Sequence, residues 1–189
     1  MKRLVTIVSL LAVLALPASA FAQGAPYAWS ISASNTNEFM NTSAPTLGLR
    51  TVYLWLACCE LPPGMQDGMA TAEFDIVANS ISHVATVMQN DFLNAGGTTN
   101  LQMAVGGCPC GPIVAANLVI IDLPGTLDLA PSAANGVGGT ADCEANPQLW
   151  PIDWRGYSNL GAAPNGKGLP CQFATVERSS WGTIKGLYR

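Results

Sequence analysis

Residues 70–76 read ATAEFDI. In an extended chain Ala70, Ala72, Phe74 and Ile76 fall on one side, and Thr71, Glu73 and Asp75 on the other, because successive strand side chains alternate faces. That is a strand with one face on a core and the other in water. Working outward, Tyr27, Trp29 and Ile31 alternate with Ala28, Ser30 and Ser32 in the same half-buried manner. Residues 49–58 (LRTVYLWLAC) are apolar on both faces, which suits a central strand covered on two sides. Residues 81–88 are rich in β-branched side chains, Leu101, Met103 and Val105 mark a further strand, and 113–122 and 126–129 add a long and a short one. Leu61-Pro62-Pro63-Gly64 and Asn94-Ala95-Gly96-Gly97 break the chain, and Cys108-Pro109-Cys110-Gly111-Pro112 cannot be regular. Seven to nine strands separated by turn signals predict an all-β chain, a single antiparallel β-sandwich over residues 23–131.

Beyond Pro131 the composition shifts. Gly, Ala, Asn and Pro dominate to Pro170, interrupted by the aromatic stretch LWPIDWRGY at 149–157. This predicts a loop-rich flap over 132–178, pinned by Cys143 and Cys171, with 172–176 as one more strand. Residues 179–189 (SSWGTIKGLYR) form a tail. A short helix there would be N-capped by Ser180, with Trp181, Ile184, Leu187 and Tyr188 on one face; Gly182 and Gly186 weaken it.

The first 22 residues have the form of a secretory signal: Met1-Lys2-Arg3, a 13-residue run from Leu4 to Leu16 that is apolar apart from Thr6 and Ser9, then small-x-small sites ending at Ala20 and Ala22. The run is shorter than the roughly 20 apolar residues that span a bilayer, and no later stretch qualifies. The expected product is exported: periplasmic, at the cell surface or extracellular. Its 167 residues carry 12 acidic and 6 basic side chains, a net charge of −6. No Lys or Arg occurs in the 104 residues between Arg50 and Arg155, a span with ten acidic residues. Nucleic-acid binding, which needs clustered cations, is excluded.

An exported chain gives six cysteines a use as bridges: Cys58, Cys59, Cys108, Cys110, Cys143 and Cys171. Pairing within the 58/59 or 108/110 couple would be strained. The preferred scheme joins one couple to the other by two bridges and closes Cys143 with Cys171. The spacing does not match a zinc site, and the single histidine, His83, excludes a blue-copper centre.

For ligand binding the candidates are Trp150, Trp154 and Tyr157, with Asp153 and Arg155 to orient a bound sugar ring; equally, such rings can anchor a Gly-rich loop. No catalytic residue is assigned. His83 lies in a strand with no G-x-S-x-G elbow in the chain. Glu73 and Asp75 share a strand face, but their separation across a cleft, which glycoside hydrolysis requires, is not legible. No cofactor is expected. Asp122, Asp128, Asp142, Glu144 and Asp153 could supply oxygens to calcium, although no local calcium loop is present.

The stretch GMATAEFDI at 68–76, with strands running on to Leu127-Asp128-Leu129-Ala130-Pro131, resembles the exported bacterial cohesin-type sandwiches, which are similar in fold to carbohydrate-binding modules. The resemblance covers about residues 48–131 and implies attachment to a protein partner without catalysis; the cysteines and the flap depart from the pattern. The ending WGTIKGLYR at 181–189 resembles the C-termini of uncharacterised exported proteins of environmental bacteria. The favoured function is a non-enzymatic exported protein, a binding or structural module at the cell surface or outside the cell with a carbohydrate or a protein as partner. The alternatives are a small secreted hydrolase and a subunit of an extracellular assembly.

Overall fold

The computed structural model describes residues 27–58, 68–134, 136, 138–147, 149–151 and 153–160. The signal at 1–22, the strand expected at 172–176, the tail at 179–189, and the side chains of Cys58, Cys59 and Cys171 lie outside the described residues. The elements are β1 (Tyr27–Ser32), β2 (Leu49–Cys58), β3 (Met69–Asn79), β4 (Ser82–Met88), β5 (Phe92–Asn94), β6 (Asn100–Val105), β7 (Ile113–Ile121), β8 (Thr126–Ala130), β9 (Gly139–Asp142), β10 (Leu149–Pro151), β11 (Asp153–Arg155) and β12 (Tyr157–Ser158). They form two sheets, and no helix occurs among the described residues.

One sheet has the order β11-β1-β2-β7-β4. The other runs β10-β9-β3-β6-β5, with β8 also on β3 and β12 on β8. The eleven-residue β3 organises the second sheet. One edge pairs with β6; the other is shared by β9 along its first half and β8 along its second. Every strand pairing is antiparallel except β1 with β11, which is parallel.

The core lies between the sheets. Ala72, Phe74 and Ile76 of β3 are buried, as their alternation predicts, against Trp29 and Ile31 of β1, Leu54 of β2 and Leu118 of β7; Ala70, expected inward with them, is only partly buried, because the register shifts between Met69 and Thr71 and Met69 takes the buried place. Trp29 and Phe74 meet edge to face, with ring centroids 5.0 Å apart. β1 departs from expectation, because all six of its residues are buried. Its outward Ser30 and Ser32 are covered by residues 33–41. Ser30 Oγ donates to Glu38 O (2.6 Å), and Asn41 Nδ2 donates to Ser30 Oγ (2.8 Å) and Ile31 O (2.7 Å). Polar residues line the outer face because polar groups of the covering loop meet them there, satisfying donors that burial would otherwise strand.

The segment expected to be a loop-rich flap supplies four strands, β9 to β12, to both sheets. These strands are two to four residues long, too short for periodicity to reveal.

The bridge scheme needs correction. Cys108 is bonded to Cys143, with Cα atoms 6.0 Å apart, so Cys143 does not pair with Cys171, and Cys108 does not pair with the 58/59 couple. Cys110 is disulfide-bonded as well. The cause is strand pairing. Asp142, at the end of β9, pairs with Met69 at the start of β3, and Met69 N donates to Pro109 O (3.1 Å). The 108–110 loop and residue 143 therefore arrive at one place. Cys108→Ser with Cys143→Ser is expected to lower stability by about 3–4 kcal/mol on the chain-entropy argument for this 35-residue separation. Urea unfolding of oxidised protein checks it; an unchanged midpoint would mean that β9 pairing alone holds the two segments.

Candidate functional site

Strand pairing builds a surface on the outer side of the seven-stranded sheet. Leu149 lies opposite Ala141, Ala141 opposite Thr71, Thr71 opposite Ala104, and Ala104 opposite Leu93. One row across five strands thus reads large, small, small, small, large. Both leucines are well exposed, Leu149 at 64% and Leu93 at 71%. At about 4.8 Å per strand their backbones stand roughly 19 Å apart. Beside Leu149 is an open hollow of 430 Å³ lined by that residue, Thr71, Glu73, Gln102, Ala104 and Gly139, with Ala72 and Met103 beneath.

Gly139 shapes one wall. A Cβ there would come within 2.7 Å of Leu149 Cδ1 and 3.0 Å of Trp150 O, so the missing side chain lets Leu149 lean over the sheet. Glu73 supplies the charge of the hollow, and Gln102 Nε2 lies 3.4 Å from its Oε1. Asp75, on the same strand face, is committed elsewhere. It accepts from Asn100 Nδ2 (2.6 Å) and Ala133 N (2.8 Å), which ties the 132–133 turn to β6. Chemically, the face offers apolar ridges, a floor of small side chains and one carboxylate.

The five residues expected to bind a ligand are not assembled into an exposed platform. Tyr157 is fully buried, its hydroxyl 2.7 Å from Ser43 Oγ and its ring 5.8 Å from the Arg50 guanidinium. Burial pushes its phenol above the ordinary value, so it stays protonated at neutral pH. Trp150 and Trp154 pack on the core from different sheets. Trp150 Nε1 donates to Asp142 Oδ2 (2.9 Å), and Trp154 sits opposite Trp29 on the edge strand β11, between half-buried Asp153 and Arg155. These rings anchor the segment after β9. Among the described residues, Phe39 is the one aromatic left more than a third exposed (38%).

His83 Nε2 lies 3.1 Å from both Ala85 O and Thr86 Oγ1, and no Asp or Glu is among its partners. Burial lowers its pKa. Of the five carboxylates considered for calcium, Asp122 is ion-paired with Arg50 (3.2 Å) and Asp142 holds Trp150. Among the described residues no three His, Cys, Asp or Glu side chains come together in a metal-binding arrangement, and no helix is long and apolar enough to cross a membrane.

Asp122 centres a buried lock. Its Oδ2 accepts from Thr46 N (2.8 Å), Thr46 Oγ1 (2.9 Å) and Arg50 Nη1 (3.2 Å), and its Oδ1 from Asn159 Nδ2 (2.7 Å). Burial works to raise its pKa, but these hydrogen bonds outweigh it and hold the carboxyl below the ordinary value. The lock clamps the 43–47 loop, β7 and the chain after β12 together, so its role is to position elements. No sequence signal singles it out, since its members come from three separate stretches, around residues 46–50, at 122 and at 159.

Two antiparallel-rich sheets packed face to face, with one small-floored outer face, place the chain in the class of β-sandwich modules. Within that class it is similar to the seventh ScaB type I cohesin from Pseudobacteroides cellulosolvens, at 12% identity and a TM-score of 0.47, over 70% of this chain and 89% of that one. It is also similar to a cohesin module from the family 33 glycoside hydrolase of Clostridium perfringens, at 9% identity and a TM-score of 0.38, over 69% of this chain and 99% of that one. No family model and no curated protein matches the chain.

Proposed function

We propose that the protein is an exported, non-catalytic module that binds a protein partner through the outer face of β10-β9-β3-β6-β5. The row Leu149–Ala141–Thr71–Ala104–Leu93 carries this reading. Its breadth suits a helix about 10–12 Å across better than a sugar ring, and sugar stacking would call for exposed aromatic faces, which this face lacks. The leucine ridges would supply apolar burial, and Glu73 would favour a partner with a basic group beside its apolar stripe. The leader at residues 1–22 and the disulfides support export.

Ala104 is exposed on the floor between Thr71 and Leu93, so Ala104→Arg adds bulk and charge there without touching the core. Wild-type and variant protein, immobilised side by side, are challenged with the exported proteins of the source cells. The expected result is a bound protein retained by wild type and reduced about tenfold or more by Ala104→Arg, as for an interface centre. A partner held equally by both would sink this face as the site. Retention by polysaccharide alone, undisturbed by Ala104→Arg, would move the function to carbohydrate binding elsewhere on the molecule.

A further inference from the structure

A strand at the edge of a sheet offers unpaired N–H and C=O groups to any other chain, and stable sheets guard against this with short edges, charge, proline or cover. Among the described residues most edges are guarded. β10 ends in Pro151, which has no N–H to offer. β11 is three residues long and contains Asp153 and Arg155. β12 is bracketed by the 41–43 segment, with Ser158 N donating to Asn41 O (2.9 Å) and Ser43 N to Ser158 O (3.3 Å). β5 has three residues. β4 is the exception. It lies at the end of its sheet, paired with β7 alone, and runs for seven residues, SHVATVM, with no proline and no Asp, Glu, Lys or Arg.

The first half of β4 is blunted by a bulge at Val84, where the register shifts between His83 and Ala85. The second half is regular. Gln89 N donates to Ala115 O (2.9 Å). Hydrogen-bonding direction alternates along an antiparallel ladder. Val87 and Ala85 therefore also turn their backbone groups to β7, while Thr86 and Met88 turn theirs away from it. The side chain of Thr86, opposite buried Leu118, faces the core side, where its hydroxyl donates to Thr98 O (2.8 Å). Val87, between the two outward-turned backbones, points to the outer face and is 49% exposed.

We propose that two copies of this chain pair through the second half of β4, antiparallel about a two-fold axis at Val87, so that their two five-stranded sheets become one continuous sheet. In this register Thr86 meets Met88 of the second copy and Met88 meets its Thr86, each pair exchanging both N–H···O bonds. Val87 lies directly opposite Val87 of the second copy in a non-hydrogen-bonded pair, where side chains approach most closely. The outward-turned groups flank Val87 symmetrically, which is what a self-complementary two-fold contact requires. Charge favours the same occupant. From Tyr27 to Leu160 there are eleven acidic and two basic residues, a net −9, so two copies repel over much of their surfaces. Residues 76–121, which hold β4 and its neighbour β7, contain one Asp, Asp91, and no Glu, Lys or Arg. Copies can meet at this edge without setting carboxylates against each other. The proposal does not rest on the partner face of the other sheet.

The test is sedimentation equilibrium of the full exported chain from about 10 μM to about 1 mM, since so small a contact makes a weak dimer, with a dissociation constant on the order of 100 μM. Val87→Lys sets two cations directly opposite each other in place of an apolar pair and is expected to weaken the dimer about tenfold or more. Val87→Thr keeps a β-branched side chain there and should stay within about threefold of wild type. Far-ultraviolet circular dichroism confirms that both variants keep their sheets. Amide hydrogen exchange locates the contact: exchange at Thr86 and Met88 should slow as wild-type concentration rises, while β11 does not respond. A monomer throughout the range, a dimer indifferent to Val87→Lys, or protection that appears in β11 instead would overturn the proposal. Slow exchange at Thr86 and Met88 at every concentration would also overturn it, by showing that the edge is occupied within a single chain.

Discussion

Trp29→Ala is expected to lower the free energy of unfolding by about 3–5 kcal/mol, the range for deleting a large buried aromatic. Trp29 is completely buried at the centre of the sandwich. Three contributions are lost together. The ring leaves a cavity that strands pinned by cross-strand hydrogen bonds on both sides cannot close. The edge-to-face contact with Phe74, at 5.0 Å between centroids, disappears. The hydroxyl of Thr140, fully buried, loses the indole Nε1 that donates to it at 3.0 Å. Domains of this size are stable by about 5–15 kcal/mol, so the variant should sit near its unfolding threshold at room temperature. Trp29→Phe fills part of the cavity and should recover about half of the loss. Urea unfolding followed by circular dichroism measures both. A Trp29→Ala protein within about 1 kcal/mol of wild type would mean that the two sheets do not close on this ring.

Asp122→Ala is expected to cost about 3 kcal/mol, the lower end of the range for removing one member of a buried ion pair, because the Arg50 side chain is 21% exposed and keeps some water. The loss strands Thr46 N, Thr46 Oγ1 and Asn159 Nδ2 as well as the guanidinium. Asp122→Asn is nearly isosteric yet also unfavourable, since an amide placed toward Asn159 Nδ2 opposes donor to donor while Asn159 Oδ1 already accepts from Gly125 N. The carboxyl's pKa is lowered in the folded state despite its burial. The unfolded chain therefore binds the proton more tightly. The stabilisation is fully present above the ordinary aspartate value of about 3.9 and is lost as pH falls through the lower folded value. Wild-type urea midpoints should thus drop steeply in that acidic window, and those of Asp122→Asn should drop less. Parallel acid profiles would remove Asp122 as the source of the pH dependence.

The local pattern was legible wherever a strand was long. β2, β3, β6, β7 and β8 fall where the strand signals put them, and of the inward set expected for β3, Ala72, Phe74 and Ile76 are buried while Ala70, beside the register shift between Met69 and Thr71, is only partly so. Alternation carries this much because a strand's side chains switch faces every residue, so one buried face writes itself into the sequence. β1 shows the limit. Its alternation is real, but its polar face is buried too, because a loop from residues 33–41 satisfies Ser30 and Ser32. Composition cannot distinguish water from a polar cover.

The candidate site was barely legible. Thr71 and Glu73 were placed on an outward face by residues 70–76, but Leu93, Ala104, Gly139 and Leu149 had no local mark. They share a surface only because β10, β9, β6 and β5 assemble around β3 in one register. The aromatics at 149–157 drew attention as a ligand platform, yet β10 and β11 turn Trp150 and Trp154 toward the core, and β12 places Tyr157 in it. Cys143 met Cys108 for the same reason, through the pairing of β9 with β3. By itself, then, the sequence determined the strand class, the inward residues of the long strands, the acidic charge and the pairing chemistry of the cysteines, all properties of single residues or of period-two runs. The partners of each strand, the bridge, the buried Asp122 lock and the leucine-walled face were decided by tertiary structure. They rest on contacts between stretches tens of residues apart, where burial and hydrogen bonding across the whole fold select the register.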